Sequence, residues 1–259
     1  TVILSIFIFY TNGTLEKNFS LYELCGNILM LQDNAFLKPG TWVNPFLGNL
    51  PLWSLSYEWW FYMMFFPILN SAIFKSKYRI HIITIFSAIS YLIYLAYPNQ
   101  ASLICSYFII WWSGVELAHI YIHQQRFSFN RIKPILISLA VMITLTAVNV
   151  IVKKDFRLGY YPFLLFRNFG ASFLIILLGW LWYRQKMRFF SQILGVFAIL
   201  APISYGLYVS HFTILLRWEW LNDNISNIWA LNIVKIMLSF GLAYLVEIKL
   251  QPLVNRWLK

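Results

Sequence analysis

Residues 51–66 read PLWSLSYEWWFYMMFF, a stretch of apolar and aromatic residues interrupted by the carboxylate of Glu58. We expect a membrane span over residues 51–74, because a helix of about twenty mostly apolar residues matches the thickness of the hydrocarbon core. Hydrocarbon cannot solvate a charge, so an ionisable group at that depth normally faces protein or a water-filled cavity. Glu58 is therefore a candidate functional residue.

The composition of the whole chain excludes an ordinary soluble domain. Of its 259 residues, 60% are hydrophobic and only 11% are charged, and the mean hydropathy is +0.66. Trp and Tyr residues near the ends of the apolar runs are typical of the interfacial belts of helical membrane proteins. We expect an all-α polytopic transmembrane helix bundle whose solvent is the lipid bilayer.

The apolar runs predict about seven full spans that follow a partial first helix, from Val2 to Tyr10. The short apolar piece from Leu21 to Leu31 is expected to be interfacial or re-entrant. No internal repeat is visible, so we expect a single integral membrane domain over residues 1–259. The predicted spans are 51–74, 80–98, 101–123, 134–152, 162–183, 199–217 and 227–249.

The net charge of +11 comes from basic residues dispersed among short loops, a pattern that does not indicate nucleic-acid binding. Basic loops mark the cytoplasmic side of a membrane protein, so this pattern predicts a single orientation with the C-terminus in the cytoplasm. Lys153, Lys154 and Arg157 fall on the opposite side and are exceptions. The residues that set the orientation are Lys75, Lys77, Arg79, Arg126, Arg131, Lys133, Arg184, Lys186, Arg188, Arg256 and Lys259.

Three polar residues share one face of the helix predicted over residues 51–74. Ser54, Glu58 and Tyr62 are spaced at i, i+4 and i+8, which aligns them along an α-helix. We expect this stripe to face other helices. An alternative is that Ser54 and Tyr62 only hydrogen-bond Glu58 and hold the bundle together.

A second polar stripe occurs in the segment PISYGLYVSHF, residues 202–212, where Ser204, Tyr208 and His211 lie on one helical face. His211 can hold or transfer a proton near neutral pH, as general acid–base chemistry requires. The alternative is a packed histidine that only makes hydrogen bonds within the bundle.

Helix geometry places the charged candidates at similar depths in the membrane. Glu58, His211 and Arg167 lie about 10, 9 and 8 Å from the outer ends of their predicted spans, at about 1.5 Å per residue. This agreement predicts a shared polar cavity open to the outer face, in which Arg167 balances Glu58 or binds an anionic substrate group. The alternative is a buried Glu58–Arg167 ion pair.

Other titratable residues predict less. Glu116, His119 and His123 lie near one helical face, but we expect no metal there, since interfacial histidines beside a basic loop are common. Tyr244 and Glu247 are expected to form a helix–helix hydrogen bond. The two cysteines, Cys25 and Cys105, match no metal or redox spacing.

Three segments resemble the acyltransferase 3 family of multi-pass membrane O-acyltransferases. Residues 52–62, LWSLSYEWWFY, resemble its signature of Trp-Ser-Leu-Ser, a spacer, Glu, two variable residues and Phe-Tyr. Residues 204–212 are similar to its Ser-Tyr-x-x-Tyr-x-x-His-Phe helix, and Tyr244 to Glu247 with Pro252 to its terminal Glu-Pro region. The motifs and the polar stripes together indicate that Glu58 and His211 are catalytic. With the depth of Arg167 in the membrane, they indicate that the substrate-binding residues are Trp53, Ser54, Ser56, Tyr62, Arg167 and Tyr208.

The resemblance also implies residues that the sequence does not contain. In this family a catalytic His on the first helix and an arginine-rich motif serve acyl transfer, and both would precede Thr1. The chain is therefore expected to be an N-terminally truncated member. The spacing from Glu247 to Pro252 is also longer than in the family pattern.

The resemblance implies transfer of an acetyl or other short acyl group from acyl-CoA to a hydroxyl of a cell-surface glycan or related acceptor. The expected donor is acetyl-CoA or another acyl-CoA, without a metal or a nucleic-acid partner. The expected acceptor is a cell-envelope glycan or lipid-linked sugar, and the expected location is the bacterial inner membrane.

A different class of protein would also contain charged groups within the membrane. In a proton-coupled secondary transporter or a lipid-linked glycan flippase, Glu58, Arg167 and His211 would form a proton relay or a substrate site. Such proteins often have internal repeats and helices broken near the midplane, and neither feature is clear here. A purely structural membrane subunit would leave the polar stripes without a role.

Overall fold

The computed structural model describes residues 2–124 and 128–257, so Arg126 and Lys259 of the predicted orientation pattern lie outside the described residues. Most of the described chain is helical, as the apolar composition predicts. The helices are α1 (Val2–Thr11), α2 (Leu15–Asn18), α3 (Leu21–Ile28), α4 (Leu52–Leu69), α5 (Ala72–Lys75), α6 (Arg79–Ala96), α7 (Gln100–Gln124), α8 (Phe129–Lys153), α9 (Phe163–Arg184), α10 (Phe190–Leu200), α11 (Ser204–Arg217), α12 (Glu219–Asn224), α13 (Ile228–Tyr244) and α14 (Gln251–Trp257).

The chain divides into two compact units. The first comprises Thr1–Gln32, Asn44–Ser54 and Phe189–Lys259, and the second comprises Asp33–Val43 and Leu55–Arg188. The division falls inside α4, whose first turn belongs to the first unit.

Six helical segments in the described part of the chain are long and apolar enough to cross a bilayer. They match six of the seven predicted spans, and together with the shorter apolar helix α1 they make the chain an all-α, multi-pass membrane protein. These segments are Arg79–Ala96, Gln100–His123, Phe129–Lys153, Phe163–Arg184, Gln192–Arg217 and Ile228–Trp257.

The remaining predicted span, residues 51–74, forms two helices instead of one. α4 ends at Leu69, and α5 begins at Ala72 after Ser71, whose hydroxyl accepts a hydrogen bond from the Ile73 amide at 3.2 Å. The serines, Glu58 and the Trp and Tyr residues lower the hydropathy of α4, so it is not among the six apolar spans of the described residues. The polar residues that make α4 a functional candidate are therefore also the reason that it falls short of the hydropathy of the six spans.

Two other predicted spans are longer in the structure. Pro202 does not end a helix but lies in a 3₁₀ turn, Ala201–Ile203, which joins α10 to α11. The helix α13 continues through a π-helical turn, Leu245–Leu250, into α14. Both irregular turns connect helices without an intervening loop, which explains the extra length.

In the first unit, α11 packs against both α13 and α1. The contact between α11 and α13 is close at Gly206, where an added Cβ would lie 3.1 Å from the Cα of Ala243. Small residues allow helix backbones to approach in this way within a membrane. About two turns further along α11, Ile214 packs with Phe9 and Phe46 in an apolar core.

In the second unit, α6 packs against α7, α8 packs against α9, and both α6 and α7 contact α8. Consecutive helices joined by short loops pack antiparallel, as expected for a bundle. Large aromatic side chains fill the space between them, and those with no exposed surface include Tyr91, Tyr94, Phe108 and Trp112.

The segment Asp33–Val43 is held against this bundle by hydrogen bonds to its backbone. The hydroxyl of Tyr94 donates to the Pro39 carbonyl at 2.8 Å, and the Tyr161 amide donates to the Leu37 carbonyl at 2.9 Å. Gly40 has a φ of +79°, and an added Cβ there would lie 2.4 Å from the backbone of Pro98. A side chain at position 40 would therefore displace the segment.

Local partners offset two of the three basic residues that the orientation pattern leaves unexplained. Arg157 forms a forked ion pair with Asp155, with Nε 3.0 Å from Oδ1 and Nη2 2.7 Å from Oδ2. The hydrogen bonds from Arg157 lower the pKa of the Asp155 carboxyl below its usual value. The Lys153 ammonium lies 4.5 Å from the centre of the Tyr161 ring, a cation–π contact.

Candidate active site

The first turn of α4 and the middle of α11 meet at a pair of hydroxyl groups. The Oγ of Ser54 lies 2.5 Å from the Oη of Tyr208, and Tyr208 also donates to the Pro51 carbonyl at 3.1 Å. Ser54 is half-buried, whereas Tyr208 is 39% exposed. The structure thus brings together one residue from each of the two predicted polar stripes.

His211 lies one turn along α11 from Tyr208, and its ring is oriented by the backbone of its own helix. Its Nδ1 lies 2.8 Å from the Tyr208 carbonyl oxygen and 3.0 Å from the Leu207 carbonyl oxygen. A carbonyl oxygen can only accept a hydrogen bond, so Nδ1 carries the proton and donates it. In the neutral ring, the lone pair on Nε2 is then left to accept a proton from another group.

Local sequence explains why α11 presents these residues. The helix begins at Ser204, directly after the 3₁₀ turn that contains Pro202. From there the spacing of Ser204, Tyr208 and His211 follows the helical period, and the i−3 and i−4 carbonyls lie within reach of the His211 ring. Of the three, His211 is half-buried and the other two are exposed.

Asn49 is a polar residue near α11 that the sequence analysis does not identify. Its side chain is fully buried, and its Nδ2 donates to the Val209 carbonyl at 3.3 Å. Its Oδ1 is buried without a hydrogen-bond partner among the described residues. An unsatisfied buried oxygen costs about 1–3 kcal/mol, so this group merits inclusion in the candidate site. Its sequence context, Gly-Asn-Leu-Pro, indicates only a turn.

Glu58 is exposed on α4, and its nearest described partner lies on the same helix. The hydroxyl of Tyr62 donates to its Oε1 at 3.4 Å, a long hydrogen bond. The ring of Tyr62 packs edge-on against Trp111 at 5.5 Å between ring centres. The alternative prediction is that both Ser54 and Tyr62 hydrogen-bond Glu58. Tyr62 does so, whereas Ser54 pairs with Tyr208 instead.

Arg167 is exposed on α9, and it forms no ion pair with Glu58 within the described residues of the second unit. Its Nη2 makes a long contact, 3.4 Å, with the Oδ1 of Asn168, and Asn168 donates to the hydroxyl of Tyr107 at 3.0 Å. A buried ion pair between the two charged candidates is therefore wrong. Arg167 retains a guanidinium group that can bind an anionic group.

The remaining predicted site residues lie on α4. Ser56 is fully buried and Trp53 is half-buried. Glu58 and Arg167 belong to the second unit and His211 to the first, so the shared cavity that would unite them stays a prediction.

A buried polar cluster in the second unit is a further feature that the sequence analysis misses. Lys38 and Asp33 form an ion pair with an N–O distance of 2.5 Å, and their side chains are 2% and 0% exposed. The hydroxyl of Tyr57 donates to the other carboxylate oxygen of Asp33 at 2.6 Å. Burial lowers the pKa of the Lys38 ammonium, and the charge of Asp33 opposes that shift. The cluster joins the segment Asp33–Val43 to α4.

On α7, the residues Glu116, His119 and His123 contact other side chains. Glu116 accepts two hydrogen bonds from Arg79, at 2.7 and 2.9 Å, and a third from the Trp112 indole at 2.9 Å. His119 contacts the ring of His123. Within residues 2–124 and 128–257, no group of three His, Cys, Asp or Glu residues could hold a metal ion.

The predicted hydrogen bond at Tyr244 and Glu247 is also wrong. Neither side chain makes a hydrogen bond to another described residue, and Glu247 lies in the π-helical turn. Its Cγ would contact a Cβ added at Gly206, at 3.1 Å, so it packs against α11 through its methylene groups.

Comparison with models of protein families identifies a match over most of the chain. The family model Acyl_transf_3, described as an acyltransferase domain, matches residues 1–248. No curated protein and no solved structure matches the chain.

Proposed function

Since this chain belongs to the acyltransferase 3 family, we propose that it transfers an acetyl or other short acyl group from an acyl-CoA to a hydroxyl of a cell-envelope glycan or lipid-linked sugar. The family makes the protein an acyltransferase, and the six long apolar helices among the described residues make it a multi-pass membrane protein. The donor, the acceptor and the roles of individual residues belong to the proposal.

The reaction requires a group that removes a proton from the acceptor hydroxyl. As that oxygen attacks the thioester carbonyl carbon, a carbon–oxygen bond forms, the carbon–sulfur bond breaks and the coenzyme A thiolate leaves. A base that takes the hydroxyl proton can then return it to the thiolate. Nε2 of His211 is suited to this role, because Nδ1 is already engaged as a donor to two carbonyl oxygens. This orientation of His211 is the observation that carries the proposal.

The hydroxyl groups beside His211 suit the recognition of a sugar. Ser54 and Tyr208 form a paired donor and acceptor one helical turn from the imidazole. Sugar hydroxyls both donate and accept hydrogen bonds, so a pair of protein hydroxyls can exchange its mutual bond for bonds to the acceptor.

Glu58 and Arg167 are assigned to different groups of the substrates. The carboxylate of Glu58 would position the acceptor or share in its deprotonation, and Arg167 would bind an anionic group of a substrate. The absence of a Glu58–Arg167 ion pair among the described residues of the second unit supports separate roles for the two side chains.

The proposed location is the bacterial inner membrane with the C-terminus in the cytoplasm. The support is the excess of Lys and Arg in the loops on that side. Acyl-CoA is a cytoplasmic metabolite and the acceptor sites on α4 and α11 are expected toward the outer face, so the proposed reaction needs a passage in the protein through which the thioester reaches the acceptor.

The direct test uses the purified protein in proteoliposomes with acyl-labelled acetyl-CoA and an envelope glycan. We expect label in an alkali-labile ester on the glycan, and we expect His211→Gln to abolish it. A protein that transfers no label, but moves a lipid-linked sugar when a proton gradient is applied, would instead be a transporter or flippase. In that second case the Glu58→Gln variant should also stop the gradient-driven movement.

A further inference from the structure

A polar cavity of about 560 Å³ lies in the second unit, where the N-terminal ends of α6 and α8 meet the C-terminal end of α7. None of the residues assigned to acyl transfer lines it. Its charged and polar lining comprises Lys77, Arg79, Glu116, His119, Ser128, Asn130 and Arg131.

The cavity carries an excess of positive charge. Arg79 is neutralised by its two hydrogen bonds to Glu116, which is itself 7% exposed. The Lys77 ammonium lies 5.0 Å from the centre of the Tyr78 ring, and neither Lys77 nor Arg131 makes an ion pair with a described residue. Two cationic side chains therefore face the cavity without an acidic partner.

The N-terminus of α8, where Arg131 lies, adds to the positive charge of the cavity. Arg131 lies in the first turn of α8, and the N-cap residue of that helix, Ser128, makes no side-chain capping hydrogen bond. The amide groups at a helix N-terminus carry partial positive charge, which favours an anion nearby. The amide dipole and the two cations act in the same direction.

We propose that this cavity binds a phosphate group. An arginine offers a planar pair of donors that matches phosphate oxygens, and a lysine adds a point charge. The cavity is at the ends of membrane spans, on the side where basic loops concentrate, and basic pockets between such helices bind anionic lipid headgroups. A phosphate of the acyl-CoA nucleotide has the same chemistry, and that source alone rests on the proposed function.

The test measures binding and not turnover, so its outcome is independent of the acyl-transfer proposal. One arm counts phosphatidylglycerol molecules retained by the purified protein in native mass spectrometry, with phosphatidylcholine for comparison. The other arm titrates the protein in phosphatidylcholine nanodiscs with coenzyme A and with pantetheine, which lacks the phosphates.

The variant is Lys77→Gln combined with Arg131→Gln, and the matched control is Lys133→Gln, which removes a charge from α8 outside the cavity. We expect the double variant to weaken one of the two phosphate-bearing probes by about tenfold or more, since a charge-assisted hydrogen bond contributes at that scale. The control should change binding by less than about twofold, because exposed charges are screened.

Loss in the lipid arm identifies a headgroup site, and loss in the coenzyme A arm identifies a nucleotide site. Equal binding of both probes by the double variant and the unmodified protein would overturn the proposal, as would an equal loss in the Lys133→Gln control. Neither Lys77 nor Arg131 makes an ion pair with a described residue, so we expect the thermal midpoint of the double variant to match that of the unmodified protein.

Discussion

Two polar clusters in this chain differ in how far their hydrogen-bonding groups are used. In the second unit, Asp33, Lys38 and Tyr57 are buried, and their charges and hydroxyl are paired with one another. In the first unit, Tyr208 is exposed, and the neutral ring of His211 keeps the lone pair of Nε2 for an outside group. A cluster whose groups satisfy one another holds the fold, whereas one with spare capacity at the surface can serve chemistry.

The largest expected effect is on the buried cluster. Asp33→Asn removes the negative charge and leaves Lys38 buried without a counter-ion, so we expect a loss of about 3–5 kcal/mol in the free energy of unfolding. The free energy of unfolding is measured by unfolding the protein in mixed micelles with an increasing fraction of SDS.

Asp155→Asn is the control for that experiment, because it breaks an exposed ion pair and should leave stability unchanged. Adding Lys38→Met to Asp33→Asn should restore much of the loss, since it removes the isolated charge. If Asp33→Asn unfolds at the same SDS fraction as the unmodified protein, the buried cluster does not hold the fold.

The next effect is on the open cluster. We expect His211→Ala to lower kcat/KM for acyl transfer by about a hundredfold or more, the usual contribution of a general base. Stability should change little, because His211 is only half-buried. The matched control is His81→Ala, which removes an exposed histidine from α6. Full activity in His211→Ala would make this histidine a packing residue.

A smaller effect is expected at the hydroxyl pair. Tyr208→Phe removes the partner of Ser54 and should cost about 1 kcal/mol of stability, the net value of an ordinary hydrogen bond. The kcat/KM should fall by up to about tenfold, mainly through a higher KM for the acceptor. Tyr97→Phe, at a residue that is 78% exposed, is the control. An unchanged KM would remove the hydroxyl pair from acceptor binding.

The features that the sequence predicts are those that depend on residues close together in the chain. Apolar content predicts the helices well, and the span 162–183 differs from α9 by one residue at each end. The polar motif of α11 is local, so the helical period alone aligns Tyr208 with His211. The prediction is less accurate for α4, which ends at Leu69 and not at residue 74, and the polar residues that indicate a site also lower the hydropathy of this helix.

Contacts between distant residues are the part that the sequence does not predict. Asp33 and Tyr57 are 24 positions apart, Arg79 and Glu116 are 37 apart, and Ser54 and Tyr208 are 154 apart. Each pair meets only because particular helices or segments pack together. Without that packing, Lys38 is read as an ordinary loop residue and Arg79 as an uncompensated positive charge.

Our central proposal, which rests on the sequence motifs, is that Glu58 and His211 act on the same reacting group, and a double-mutant cycle tests it most directly. The kcat/KM for acyl transfer is measured for Glu58→Gln, His211→Gln and the two combined. Residues that serve one step are strongly non-additive, so we predict that the double variant is about as active as the weaker single variant. A double variant whose loss equals the product of the two single losses would show that these residues act independently, and it would contradict the account.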